Sequence, residues 1–156
     1  VLASKLLQHG AALHSIGQFD QAIYFFRRSN TVHPTAEAHT YLGWSLSHLG
    51  RVNEAIAECK KAIHLDPEFG NPYNDIGVYL LEQGKTSEAI PWLRKAMKAT
   101  RYCCYQFPHF NLGRIYAQQG NLDGAIQEFK KALSLDPQYL PAQKAMKELQ
   151  NFVPNL

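Results

Sequence analysis

Apolar positions along this chain recur at the three-and-four spacing of a helix face, and the pattern restarts every 33 to 36 residues. Gly10, Gly43, Gly77 and Gly113 mark one column, and Gly17, Gly50, Gly84 and Gly120 a second with the same intervals. Ala22, Ala55, Ala89 and Ala125 form a third, Ile23, Ile56, Ile90 and Ile126 a fourth, and Ser29, Ala62, Ala96 and Ala132 a fifth. The first glycine column falls inside a helical pattern, where glycine costs about 1 kcal/mol relative to alanine. Close approach of two helix backbones is the return that such a repeated cost implies. The second glycine column ends that helix in a left-handed residue. Asp20, Asn53, Ser87 and Asp123, three residues later, are expected to cap the next helix. Each unit therefore reads as helix A, a glycine turn and helix B. Pro34, Pro67 and Pro137 stop helix B in three of the four units. The units are placed at about 3–36, 36–69, 70–105 and 106–138.

A final helix is expected over about 139–152. Pro141 sits at its first turn, and Ala142, Ala145, Met146 and Leu149 follow at helical spacing. It would cover the apolar flank of the last unit, with a frayed tail at Phe152–Leu156.

The mid-helix small residue, the glycine turn, the alanine opening helix B, the later small residue and the endings Asp66-Pro67 and Asp136-Pro137 together resemble the tetratricopeptide repeat (TPR) family over about residues 3–138. His33-Pro34 half matches that ending, and the first unit is worn, with His9 at a usually apolar position. The resemblance implies an all-α fold, an α-solenoid of antiparallel helix pairs in a right-handed superhelix, forming a single domain over 1–156. It also implies a scaffold for protein–protein interaction rather than an enzyme.

Composition narrows this picture only slightly. Apolar residues make up 46% of the 156, ordinary for a chain with a buried core, and the net charge of +3 requires no polyanionic partner. No apolar run approaches the roughly 20 residues of a membrane span. Three cysteines argue against a disulfide framework and towards a reducing compartment. The absence of an Asn-x-Ser/Thr sequon fits that, so a cytoplasmic location is expected. The chain begins at Val1, as a fragment or processed product would.

No catalytic constellation stands out. Gly43-Trp44-Ser45-Leu46-Ser47 imitates a nucleophile elbow for three residues but lies mid-helix and lacks the last glycine. Cys103-Cys104 lacks the spacing that brings two thiolates to one zinc, so neither a metal site nor a cofactor is expected. Cys59 shares an apolar column with Phe26, Leu93 and Phe129 and reads as core. His14 and His48 fall late in successive A helices, where they could face each other. Arg27-Arg28, Lys60-Lys61, Arg94-Lys95 and Lys130-Lys131 align into a basic ridge on the B helices. It is readable as an acidic-partner or nucleic-acid footprint, or as charges that complement helix dipoles. Glu54, Glu58, Glu88 and Glu128 nearby weigh against nucleic acid.

The third unit breaks the pattern. It lacks Asp-Pro, and Ala96 to Gly113 spans 17 residues against 15 and 14 at the preceding junctions. Tyr102, Tyr105, Phe107 and Phe110 cluster there with the cysteine pair. Either helix B runs on and these rings pack on neighbouring helices, or they form an exposed aromatic edge for a partner.

By resemblance, the A helices line a concave groove for an extended peptide or a helix. Its expected partner-binding residues are Tyr41, Trp44 and His48 in the second unit, Asn74, Asp75 and Val78 in the third, and Phe110, Asn111 and Arg114 in the fourth. Ala11, His14, Glu37, Thr40, Asn71, Glu82 and Phe107 fall on the same face. Trp, Tyr and Arg dominate interface energies, and asparagine can bond a ligand backbone. Chaperone-binding members grip a C-terminal carboxylate with lysine and asparagine in the first A helix. Leu7 and Ala11 stand there, so an Hsp70 or Hsp90 tail is not expected. Two alternatives remain open: a regulatory or targeting segment of a larger protein, possibly a glycosyltransferase, and a self-associating module.

Overall fold

A computed structural model describes residues 1–153, so 154–156 of the expected tail lie outside the described residues. Among the described residues the chain forms nine α-helices: α1 Leu2–Ser15, α2 Phe19–Val32, α3 Ala36–His48, α4 Val52–Leu65, α5 Asn71–Glu82, α6 Thr86–Lys98, α7 Gln106–Gln118, α8 Leu122–Leu135 and α9 Leu140–Gln150. Consecutive helices pack as antiparallel pairs, α1 with α2 through α7 with α8, and each pair stacks on the next. The A helices α1, α3, α5 and α7 also approach their successors directly, whereas the backbones of the B helices α2, α4, α6 and α8 are held further apart. The solenoid therefore curves around its A-helix side.

The turn glycines take φ values of 75–78°, which only glycine adopts without strain. The residue after each donates its N–H back across the turn: Gln18 to the Leu13 carbonyl, Arg51 to Leu46, Lys85 to Leu80, each 2.9 Å, and Asn121 to Tyr116 at 2.9 Å. This closure satisfies the end of helix A and starts helix B at once. The capping residues are thus Gln18, Arg51, Lys85 and Asn121, not the expected Asp20, Asn53, Ser87 and Asp123, which lie within the first turn. There Asp20 and Asp123 still oppose the positive helix end. Of the four true caps, only Asn121 accepts through its side chain, from the Gly124 N–H at 3.0 Å.

Within each pair the mid-helix glycine faces the bulkiest core residue of helix B. A Cβ on Gly113 would stand 2.6 Å from the Phe129 ring, and one on Gly10 2.6 Å from Phe26. Cys59 is the small member of that column, and a Cβ on Gly43 would meet its Sγ at 3.3 Å. All four helix-B residues, Phe26, Cys59, Leu93 and Phe129, are buried, as are Ala22, Ala55, Ala89 and Ala125. At the C-terminal end α9 covers Ala125, Ile126 and Phe129 with Leu149, Ala145 and Met146. Burying Leu149 there contributes about 1.5–3 kcal/mol.

Helix α6 does not run on. It ends at Lys98, and residues 99–105 form an irregular connector before α7. The connector is fastened to the preceding junction: the Arg101 N–H donates to the Glu68 carbonyl at 2.9 Å and the Gly70 N–H to the Arg101 carbonyl at 3.1 Å. These backbone partners satisfy the connector outside any helix, so the helix can stop without a proline. Tyr102 and Tyr105 contact edge to face, 5.3 Å apart, while Phe107 and Phe110 pack on Tyr139. Cys103 and Cys104 are joined in a vicinal disulfide, a local link and not the loop-closing framework that three cysteines argue against. A framework disulfide constrains chain loops; this one joins neighbours, which counting cysteines could not reveal.

Candidate functional site

On the A-helix face, side-chain hydrogen bonds link α3 to α5 and α5 to α7. Trp44 on α3 donates its indole N–H to the Asp75 carboxylate on α5. Asn74 neighbours Asp75 on the same helix and helps to hold its carboxyl down. The Asn111 amide on α7 donates to the Asn74 carbonyl oxygen at 3.1 Å, and Arg114 in turn donates to Asn111 at 3.4 Å. Burial pushes the Asp75 carboxyl up to about 7, against the opposing pull of the Trp44 and Asn74 hydrogen bonds. Asn74 and Asn111 are each 6% exposed, so they position one another and the groove floor before they meet any ligand.

At the end of this face nearer α1, aromatic and imidazole rings converge. His14 bonds the Ser45 hydroxyl at 2.9 Å and lies 5.4 Å from His48. His48 stacks flat on Phe19 at 4.4 Å, and Tyr41 meets Trp44 edge to face at 4.8 Å. Burial, then the charge of His48, lowers the His14 pKa. Between α3 and α5 a hollow of about 180 Å³ opens, lined by Glu37, Thr40, Tyr41, Trp44, Phe69 and Asn71. Its rim is set by Arg101, which pairs with Glu37 at 2.8 Å and Asp66 at 2.6 Å and lies 4.1 Å over the Phe69 ring.

The structure thus brings together Tyr41, Trp44, His48, Asn74, Asp75, Asn111 and Arg114 on one face. Thr40 is buried and donates to the Ala36 carbonyl at 2.7 Å, so its hydroxyl is engaged within α3. Val78 is half-buried. Phe110 is turned towards Phe129 and Tyr139 in the C-terminal core, at 5.6 and 5.3 Å, with Arg114 over its ring at 5.9 Å.

Sequence reasoning passed over two features. One is Arg101, whose value lies in the connector fold that places it. The other is a pair of matching networks: His39 bonds Glu58 at 2.6 Å, which accepts from Lys61 at 2.8 Å, and His109 bonds Glu128 at 2.6 Å, which accepts from Lys131 at 2.9 Å. Their signal was present in register, since each histidine lies four residues before a mid-helix glycine and each glutamate three after an opening alanine. Among the described residues no three histidine, cysteine or acidic side chains are grouped to hold a metal ion. Nor is any described helix long and apolar enough to cross a membrane.

Tetratricopeptide repeat models match residues 36–69, 73–101 and 107–139, together more than half of the chain. Tetratricopeptide repeat protein 29 of Macaca fascicularis is 30% identical over 144 residues, covering 85% of this chain and 30% of that protein. Human protein O-mannosyl-transferase TMTC1 is 28% identical over 130 residues, covering 82% and 14% respectively. The chain therefore spans less than a third of the length of either relative. Among solved structures, Pseudomonas aeruginosa PilF superposes with a TM-score of 0.85 at 25% identity, over 98% of this chain and 71% of that one.

Proposed function

Because the chain belongs to the tetratricopeptide repeat family, and so to a class of protein-interaction scaffolds, we propose that its A-helix groove receives an extended segment or helix of a partner protein. The observation that carries this reading is the set of side-chain bonds between A helices, Trp44 to Asp75 and Asn111 to Asn74, with Arg114 donating to Asn111. Such a floor is rigid and already hydrogen-bonded, so little ordering entropy remains to be lost on binding. It offers an indole face at one end and an exposed guanidinium at the other. Tyr41, His48 and Val78 supply the walls, and Phe110 supports Arg114 from beneath. The units at about 3–36, 36–69, 70–105 and 106–138 act as one domain in this reading, without catalytic groups of their own.

Two observations favour placing that scaffold inside a longer protein. The chain covers 30% and 14% of the relatives above, and one of these is named as a transferase. In such a setting the groove would recruit or orient a partner for a neighbouring domain. A cytoplasmic location is part of the proposal.

Affinity capture with the wild-type chain and with Trp44→Ala/Arg114→Ala tests the groove. Partners identified by mass spectrometry should fall at least about tenfold in recovery with the double variant, a loss of about 1.4 kcal/mol or more. Unchanged recovery from a folded double variant would remove the groove as the binding site.

A further inference from the structure

The B-helix face carries a second feature that the groove does not use. The position three residues after the opening alanine is Glu58 in α4 and Glu128 in α8, but Trp92 in α6. In α4 and α8 that glutamate neutralises the lysine three residues on, Lys61 or Lys131. In α6 the carboxylate is missing, and the charges gather on the indole instead. The Lys95 ammonium lies 4.5 Å from the Trp92 ring centre and Lys60, reaching across from α4, 6.0 Å. Among the described residues neither lysine forms an ion pair, and both are exposed. Two like charges drawn to one ring repel each other, and a carboxylate seated between them would relieve that repulsion.

The surface continues on both sides of Trp92. Lys60 also lines an apolar hollow of about 420 Å³ floored by Pro34 and Leu65 and edged by Lys61 and His64. Lys95 lines a mixed one, of about 190 Å³, with Tyr73, Lys98 and Pro67, and Tyr73 packs 6.2 Å from Trp92. The one acidic side chain in that second hollow, Glu68, is engaged by the backbone N–H and hydroxyl of Thr100 at 3.3 and 2.6 Å. The strip therefore sets positive charge beside one apolar hollow and one mixed hollow in which Lys95 and Lys98 outnumber Glu68.

We infer that this outer surface of α4 and α6, centred on Lys60, Trp92 and Lys95, docks an acidic segment of a partner protein in which apolar residues alternate with carboxylates. A phosphodiester backbone suits it less. The apolar hollow would meet no complement, and the ridge is interrupted at Lys61 and Lys131, whose charges Glu58 and Glu128 already balance. The site is independent of the A-helix groove, which lies on the other side of each helix pair.

The test is fluorescence anisotropy with a labelled dodecapeptide of repeated Glu-Glu-Leu, at low and at rising salt. Wild type should bind, with affinity falling as salt rises. Lys60→Glu/Lys95→Glu should bind about tenfold or more weakly, and Lys60→Gln/Lys95→Gln should weaken it in the same direction. Lys130→Glu/Lys147→Glu, matched in charge, and the groove variant Trp44→Ala/Arg114→Ala should stay within about twofold of wild type. Circular dichroism reports whether each variant is folded. Four results would overturn the inference. They are no binding by wild type at low salt, equal binding by the Lys60/Lys95 variants, loss in the groove variant instead, or an oligothymidylate or a phosphatidylserine vesicle bound as tightly through the same two lysines.

Discussion

The second and third units share a backbone plan and differ in what fills it. Both place a small residue where helices A and B touch, both turn on a left-handed glycine, and both bury the opening alanine. On the outer side, His39, Glu58 and Lys61 form a closed hydrogen-bonded network in the second unit. In the third, Tyr73 and Trp92 occupy the matching positions and the lysines stand free on the ring. The inner contacts decide that a unit folds; the outer pair decides what charge it shows. Repetition in a solenoid thus constrains one face of each helix and leaves the other to vary.

The largest effects should come from testing that inner contact. Gly113→Ala drives a Cβ to 2.6 Å from the Phe129 ring, so overpacking should cost about 1–3 kcal/mol despite the gain in helix propensity. Thermal unfolding should fall by several degrees. Gly43→Ala meets only Cys59 Sγ at 3.3 Å and the Ala55 carbonyl oxygen at 3.2 Å, so its change should stay within about 1 kcal/mol. Equal losses at both glycines would show that the size of the facing helix-B side chain does not set this contact.

The outer network should come next. Glu58 is held below its ordinary range: burial raises its pKa, but the hydrogen bonds from His39 and Lys61 outweigh that. A carboxylate lowered in the folded state contributes stability that is present above its unfolded pKa near 4.5 and is lost as pH falls through the lower folded value. Glu58→Gln should therefore cost about 1–2 kcal/mol at neutral pH and flatten the acid limb of a denaturant-midpoint profile. Trp92→Glu, which places the second unit's carboxylate in the third, should lower that midpoint, because the indole packs against the core and Tyr73.

Asp75 works with the opposite sign. Its folded pKa of about 7 exceeds the unfolded 3.8, so the folded state holds an extra proton between them. Stability from this group declines as pH rises through that window and levels off above about 7. Trp44 emission should titrate with a midpoint near 7, and Asp75→Asn should abolish the transition. A pH-independent Trp44 signal would separate the two side chains. The smallest effect belongs to the cysteines. A bond between neighbours encloses almost no chain, so Cys103→Ser/Cys104→Ser should shift stability by less than about 1 kcal/mol.

Much of this was legible beforehand. The glycine turns, the proline stops and the buried Phe26, Cys59, Leu93 and Phe129 column follow from spacing alone, because steric demands repeat with the backbone. The caps fall elsewhere because in three of the four units a left-handed glycine starts the next helix without a side-chain acceptor. The connector at 99–105 was not legible because its backbone partners, Glu68 and Gly70, belong to another junction. Asn74 and Asn111 looked like ligand donors, yet stacking turns their amides on each other. Pairings between units depend on how the array curves, and that curvature is absent from any single repeat.

Hydrogen exchange measured by mass spectrometry, on the chain alone and with a captured partner bound, tests the A-helix groove most directly. Protection should rise on α3, α5 and α7, across the segments holding Trp44, Asp75 and Asn111, and should vanish with Trp44→Ala/Arg114→Ala. Protection confined to α4 and α6, with the A helices unchanged, would contradict it.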